Sequence, residues 1–193
     1  MKVLMINGSR REAGCTYTAL NIAAESLKEE GIDSEIVFVG KDAVNGNIDQ
    51  LVRKLRSKCA EADGFVFGSP VYYASATGEV QVVLDRLFGA ASAALNHKPA
   101  AVVASARRAG TTATLDILAK YPSINEMPIV TSCYWTMVHG NTPEEVMQDQ
   151  EGVYTLKQLG KNLAWIMKSI EAGRKAGVMQ PEKGKKPQTN FIR

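Results

Sequence analysis

The sequence predicts an α/β fold: a doubly wound, five-stranded parallel sheet in the order 2-1-3-4-5, followed by a C-terminal extension. Three observations carry this reading. Short apolar runs alternate along the chain with longer segments whose apolar residues recur at helical spacing. The short runs are continuously apolar, as in strands covered by helices on both faces. At 193 residues the chain has the length of one such domain plus a short extension. Right-handed crossovers then leave few topologies, of which 2-1-3-4-5 is a common one.

The elements follow in order. Residues 2–6 are an apolar run ending in Asn7-Gly8-Ser9, a strand and its turn. Residues 16–30 place Leu20, Ala23, Ala24 and Leu27 on one stripe, a helix stopped by Gly31. Residues 34–39 read as the second strand. Residues 48–62 carry Ile48, Leu51, Val52, Leu55, Cys59 and Ala62 in helical phase. The third strand is 64–68, bounded by Ser69-Pro70. A helix over 78–94 turns Val82, Val83, Leu87 and Ala90 inward, and a strand over 99–104 and a helix over 111–121 come next. The apolar run 127–134 is the expected fifth strand. The last long helix, 154–170, has Leu156, Leu159, Leu163, Ile166 and Ile170 on one side.

Residues 1–172 therefore read as one domain and 173–193 as an extension. Residues 168–193 hold seven basic and two acidic side chains, whereas the rest hold 16 and 18. Gly173, Gly177, Gly184, Pro181 and Pro187 break any long helix in the tail. A basic tail suits nucleic acid or an acidic partner, or is a solvated extension, and the solvated reading is preferred. Its end carries Phe191 and Ile192, expected to dock on folded protein, either their own subunit or a neighbour. No stretch approaches the roughly 20 apolar residues of a membrane span, and no secretory signal opens the chain, so a cytoplasmic protein is expected. Three cysteines and two histidines lack metal-ligand spacing, and no metal site is expected.

In sheets of this kind ligands bind beyond the carboxyl ends of the strands, at the switch point. The loop after the first strand, residues 7–18, offers hydroxyls at Ser9, Thr16 and Thr18, two arginines and two glycines at a helix start. Free N–H groups and partial positive charge there suit a phosphate, and an arginine binds one as a fork. A plain helix cap by Ser9 or Thr16 is the alternative. Neither G-x-G-x-x-G nor G-x-x-x-x-G-K-[ST] is present, which favours a mononucleotide. The loop after the third strand, residues 68–78, carries Pro70, Val71, Tyr72 and Tyr73, where a tyrosine and the main chain suit a flat heteroaromatic ring. An ordinary loop at a subunit contact is the alternative. The loop after the fourth strand runs Ser105-Ala106-Arg107-Arg108-Ala109-Gly110. Its arginines suit a nicotinamide nucleotide's phosphate or the electron-rich edge of such a ring, or are simply solvated.

These motifs resemble the NADPH-dependent FMN reductase family. Gly8-Ser9-Arg10-Arg11 with Gly14-Cys15-Thr16 is similar to that family's G-S-x-R-x-x-G-x-T phosphate loop. Ser69-Pro70-Val71-Tyr72-Tyr73, with Gly78 and Leu84-Asp85-Arg86, is similar to its isoalloxazine loop and the helix after it. Tyr134-Trp135, His139-Gly140, Asp149, Glu151-Gly152 and Leu159-Gly160 resemble the branch related to iron–sulfur flavoproteins. The resemblance implies a flavodoxin-like fold, FMN as cofactor and NAD(P)H as co-substrate. It implies that Ser9, Arg11, Cys15, Thr16 and Thr18 hold the phosphate. Pro70, Val71, Tyr72 and Tyr73 would flank the ring, and Ser105, Ala106, Arg107, Arg108 and Gly110 would run beside its pyrimidine edge. A homodimer or homotetramer is implied too, with the apolar stretch 129–138 as a candidate contact surface. Two departures stand out. Residues 40–47 contain no cysteine, which excludes the cluster of the iron–sulfur members, and Cys15 stands where the family often has Asn.

No nucleophile–base triad is present, and no side chain is assigned a catalytic role; the cofactor carries the chemistry. The expected activity passes hydride from a nicotinamide to bound FMN and on to a small acceptor such as a flavin or quinone. The alternative is a flavodoxin-type electron carrier. The resemblance implies that such carriers are strongly acidic and end near the fifth helix, unlike this chain.

Overall fold

The computed structural model describes residues 1–182, 184, 187–189 and 191. Strand β1, Lys2–Asn7, is an interior strand of the sheet and is buried from Val3 onward. It pairs in parallel with β2, Asp33–Phe38, on one side and with β3, Gly64–Tyr72, on the other. Next to β3 runs β5, Ala100–Ala106, and at the far edge β6, Met137–His139. The short β4, Ser75–Ala76, folds back on the end of β3 as a hairpin. Apart from this hairpin the order is β2-β1-β3-β5-β6, the doubly wound arrangement the sequence predicts.

Side chains alternate across a strand, so each buried strand feeds two cores. Leu4, Ile6, Phe65 and Phe67 face one layer, with Leu55 of α3 (Ile48–Glu61) and Leu84 and Leu87 of α4 (Gly78–Leu95). Leu118 of α5 (Thr111–Ile124) completes that layer. Val3, Met5, Val66 and Val103 face the other layer. There they meet Leu20 and Leu27 of α1 (Cys15–Glu29) and Leu159 and Leu163 of α7 (Gln150–Lys175). Full burial of each such side chain contributes about 1.5–3 kcal/mol, so the two layers dominate stability. Two short helices, α2 (Gly40–Val44) and α6 (Pro143–Gln148), lie at the same end of the sheet as the carboxyl ends of the strands.

The fifth sheet position is filled differently from expectation. The apolar run 127–134 is not a strand. Pro128 has no N–H to donate, and only Ile129 bridges to Ala100. The following residues bond to α7 instead: Ser132 Oγ donates to the Thr155 carbonyl at 2.6 Å, and Asn162 Nδ2 donates to the Thr131 carbonyl at 2.8 Å. The chain therefore bows away from β5 and rejoins it only at β6. Tyr134 and Trp135 are left 52% and 58% exposed, edge to face at 5.0 Å.

Helix α7 is longer than expected and ends at Lys175. Beyond it, Phe191 is 92% exposed, so it does not pack on its own chain, contrary to one of the two docking sites expected for it. Ile192 lies outside the described residues.

Candidate functional site

The loops after β1, β3, β5 and β6 enclose a cleft of ≈ 350 Å³ at the carboxyl end of the sheet. That size lies at the lower end of the roughly 300–1,000 Å³ of ligand pockets.

The first loop is shaped by buried side chains. Asn7, fully buried at the end of β1, accepts from the Ser9 N–H at 3.1 Å and donates to the Glu12 carbonyl at 3.0 Å. Ser9 Oγ accepts from the Arg11 N–H at 3.0 Å. Gly8 donates its N–H to the Gly68 carbonyl, and a Cβ on it would come within 2.4 Å of Val80 Cβ. This loop thus passes tightly over α4 and delivers the chain to α1. Gly14 is the N-cap of α1 and no side chain caps the helix. The N–H groups of Cys15, Thr16 and Tyr17 therefore have no intrahelical acceptor, and the helix end carries partial positive charge.

Ser9, Arg11, Cys15 and Thr16 line the cleft beside that helix end. Among the described residues the Arg11 guanidinium makes no ion pair. Arg10 does, with Glu79, and belongs to a different wall. Thr16 Oγ1 lies 2.8 Å from Ser105 Oγ, so a hydroxyl of the first loop meets one of the third. Cys15 Sγ donates to the Gly140 carbonyl at 3.6 Å, and burial raises its thiol pKa. Thr18 does not line the cleft; its hydroxyl donates to the Gly14 carbonyl at 3.3 Å within the first turn of α1.

Pro70, Val71 and Tyr72 form the wall from the end of β3. Ser69 Oγ donates to the Pro70 carbonyl and accepts from the Thr77 N–H. Thr77 Oγ1 donates to the Gly8 carbonyl at 2.9 Å and caps α4 by accepting from the Val80 N–H. Tyr73 is not part of the cleft. It sits with Ala74 at the hairpin tip, both at positive φ, and is fully exposed.

Ser105, Ala106 and Arg107 line the third side, whereas Arg108 and Gly110 do not. Gly110 acts from behind. Its φ is +98°, and a Cβ would lie 2.6 Å from Val71 Cγ1 and 2.7 Å from the Ala74 Cα. Only glycine lets the third loop close on the second.

The fourth wall, Gly140, Asn141, Thr142 and Pro143, was not singled out as a site by the sequence reading. The Gly140 N–H donates to the Ala106 carbonyl at 3.0 Å, and Asp149 accepts from the His139 N–H at 2.7 Å. Thr142 caps α6 by accepting from the Glu145 N–H, while Glu145 accepts from the Asn141 N–H. The run Thr142-Pro143-Glu144-Glu145 is a helix-start signature that marks this turn in the sequence.

A parallel sheet of this order, with a cleft at its switch point and an uncapped helix end inside, defines a flavodoxin-like nucleotide-binding protein. The donor set fits FMN: N–H groups, two hydroxyls and a guanidinium for one phosphate, and beside them an aromatic wall for the ring. The chain belongs to the NADPH-dependent FMN reductase family, whose pattern matches residues 1–142. It is a flavin-dependent oxidoreductase that binds FMN and uses NAD(P)H.

An iron–sulfur flavoprotein of Methanocaldococcus jannaschii is 27% identical over 196 residues, covering 89% of this chain and 100% of that one. An NAD(P)H:quinone oxidoreductase of Solanum tuberosum is 35% identical over 94 residues, covering 44% of this chain and 48% of that one. Among solved structures, a flavone reductase superposes with a TM-score of 0.68 at 21% identity, covering 89% of this chain and 64% of that one. An archaeal flavodoxin superposes at 0.65 and 14%, covering 87% and 99%. The two superpositions show the fold. In this chain residues 40–47 form α2 and its turn, without cysteine. Cys15, Cys59 and Cys133 are free thiols in half-buried, buried and exposed settings.

Proposed function

We propose that this protein holds FMN in the cleft between the four loops and works as an NAD(P)H-dependent reductase of a small acceptor, a free flavin or a quinone. The observation that carries this reading is the uncapped N-terminus of α1, set beside Ser9, Thr16 and Arg11, whose guanidinium makes no ion pair among the described residues. On this reading the α1 N–H groups, the two hydroxyls and Arg11 hold the phosphate, with Cys15 contributing its main chain. Tyr72, Val71 and Pro70 flank the ring, and Ser105, Ala106 and Arg107 run beside its pyrimidine edge. Bound FMN supplies the hydride acceptance and onward electron transfer. The protein's own groups bind, orient and partly bury it, and none is needed as a nucleophile or general base.

The exposed Tyr134–Trp135 pair, at the sheet edge where the chain bows out, supports assembly with a second copy, as a dimer or tetramer. A neighbouring subunit is then the docking surface left for Phe191. Among the described residues no helix is long and apolar enough to cross a membrane. Three free thiols support a cytoplasmic setting.

The test is the absorption spectrum of the purified protein and the mass of the flavin it releases. A flavin spectrum with FMN released supports the reading. FAD, or no flavin even after addition of FMN, overturns it.

A further inference from the structure

Arg10 and Glu79 are 69 residues apart in sequence and joined by an ion pair through Arg10 Nε. The two partners differ sharply in exposure: the Arg10 side chain is 61% exposed and that of Glu79 only 9%. Glu79 stands in the first turn of α4, whose N-cap Thr77 is itself bonded to the first loop at Gly8. The Arg10 guanidinium lies over the Tyr72 ring, 5.3 Å from its centroid. Tyr72 lines both the FMN cleft and a neighbouring open groove on the α4 side. Arg10 and Glu79 line that groove and not the cleft. Arg10 therefore covers the outward side of the ring.

A tyrosine at the end of a strand has rotamer freedom, and fixing it costs entropy. Here a guanidinium braces it, and a buried carboxylate braces the guanidinium, which would otherwise extend into water. We propose that Glu79 and Arg10 are positioning residues that act through Tyr72, holding its ring as a fixed wall for the isoalloxazine. This inference rests on the placement of FMN in the cleft. The pair acts on the ring end of the cofactor, whereas Arg11 acts on the phosphate end.

The ends are separable by ligand choice, since riboflavin has the ring without the phosphate. Apoprotein carrying Glu79→Gln, Arg10→Ala, both, or Tyr72→Ala is titrated with FMN and with riboflavin, and visible circular dichroism of the bound flavin is recorded. Glu79→Gln is expected to weaken both ligands by the same factor, about threefold to tenfold, the scale of an exposed to partly desolvated cation–π contact. The flavin circular dichroism should shift toward that of Tyr72→Ala, and the double variant should be no weaker than Arg10→Ala alone. If Tyr72→Ala weakens binding and shifts the spectrum while Glu79→Gln and Arg10→Ala do neither, the inference is overturned and the cofactor placement stands. The same holds if the losses of the two single variants add in full. If Tyr72→Ala changes neither affinity nor spectrum, the ring lies elsewhere and both readings fall. Should Glu79→Gln not fold, Arg10→Ala, altering an exposed side chain, decides between the same outcomes.

Discussion

Thr16 Oγ1 and Ser105 Oγ lie 2.8 Å apart, both buried, one at the start of α1 and the other at the end of β5. One hydroxyl donates to the other, and the second keeps its own proton for a ligand oxygen. The bond ties the loop proposed for the phosphate to the loop proposed for the pyrimidine edge. Thr16→Val keeps the shape and removes the hydroxyl, leaving Ser105 without its partner. Fluorescence titration of the apoprotein with FMN is expected to show about a tenfold loss, in line with a lost bond to a charged acceptor. Thr18→Val is the control. Its hydroxyl is spent on the Gly14 carbonyl, and affinity should stay within about twofold, less than half of one net hydrogen bond.

Gly110→Ala is expected to destabilise the protein and to weaken FMN binding together. Left-handed backbone costs a residue with a Cβ about 1–2 kcal/mol, and here the new Cβ would also press on Val71 and Ala74. Relief requires the third loop to move off the second, which opens the cleft. Thermal denaturation with and without saturating FMN measures both effects. An unchanged melting temperature would contradict the close packing.

The thiols should differ in reactivity. Burial pushes the Cys59 thiol up to about 11, and burial likewise raises that of Cys15. Cys133 is exposed. Thiolate is the reactive form, so brief alkylation near neutral pH should label Cys133 first. Peptide mass mapping reads the order, and early labelling of Cys59 would show that its helix opens readily.

Glu35 on β2 bridges Lys2 of β1 and Lys58 of α3, and their hydrogen bonds, that of Lys2 foremost, hold its carboxyl below the ordinary value. A carboxyl lowered in the folded state contributes stability above its unfolded pKa of about 4.3, and that contribution disappears as pH falls through the folded value. Glu35→Gln should therefore lower the melting temperature at pH 7, and the difference from wild type should shrink below about pH 4. A difference that stays undiminished as pH falls well below 4 would mean the side chain acts by packing.

Light scattering should report more than the 20.9 kDa of one chain at micromolar concentration, and Trp135→Ser should shift the population toward that mass. A monomeric wild type would leave the exposed aromatic pair without the cover proposed for it.

The legible and illegible parts of the molecule divide on physical lines. That the first loop lines the cleft is legible because its features are local: a strand, glycines, hydroxyls and an arginine within a dozen residues. The same holds for Pro70 to Tyr72. The Thr16–Ser105 contact is not, since it joins residues 89 apart whose meeting depends on the parallel pairing of β3 with β5. The wall at 140–143 went unread because its residues carry little chemistry of their own and enter the site only through the pairing of β6 with β5. The run 127–134 has the composition of a strand but loses its partner to α7, an outcome of tertiary competition that no local pattern reports.

The most direct test of the central claim, that the α1 N-terminus with Arg11 holds the cofactor's phosphate, compares FMN with riboflavin. Apoprotein and its Arg11→Ala variant are titrated with both. Wild type should bind FMN at least about tenfold more tightly than riboflavin, the scale of one charge-assisted bond, and Arg11→Ala should remove about tenfold to a hundredfold of FMN affinity while leaving riboflavin unchanged. Equal affinity for the two flavins, or a preference for FMN that survives Arg11→Ala undiminished, would contradict it.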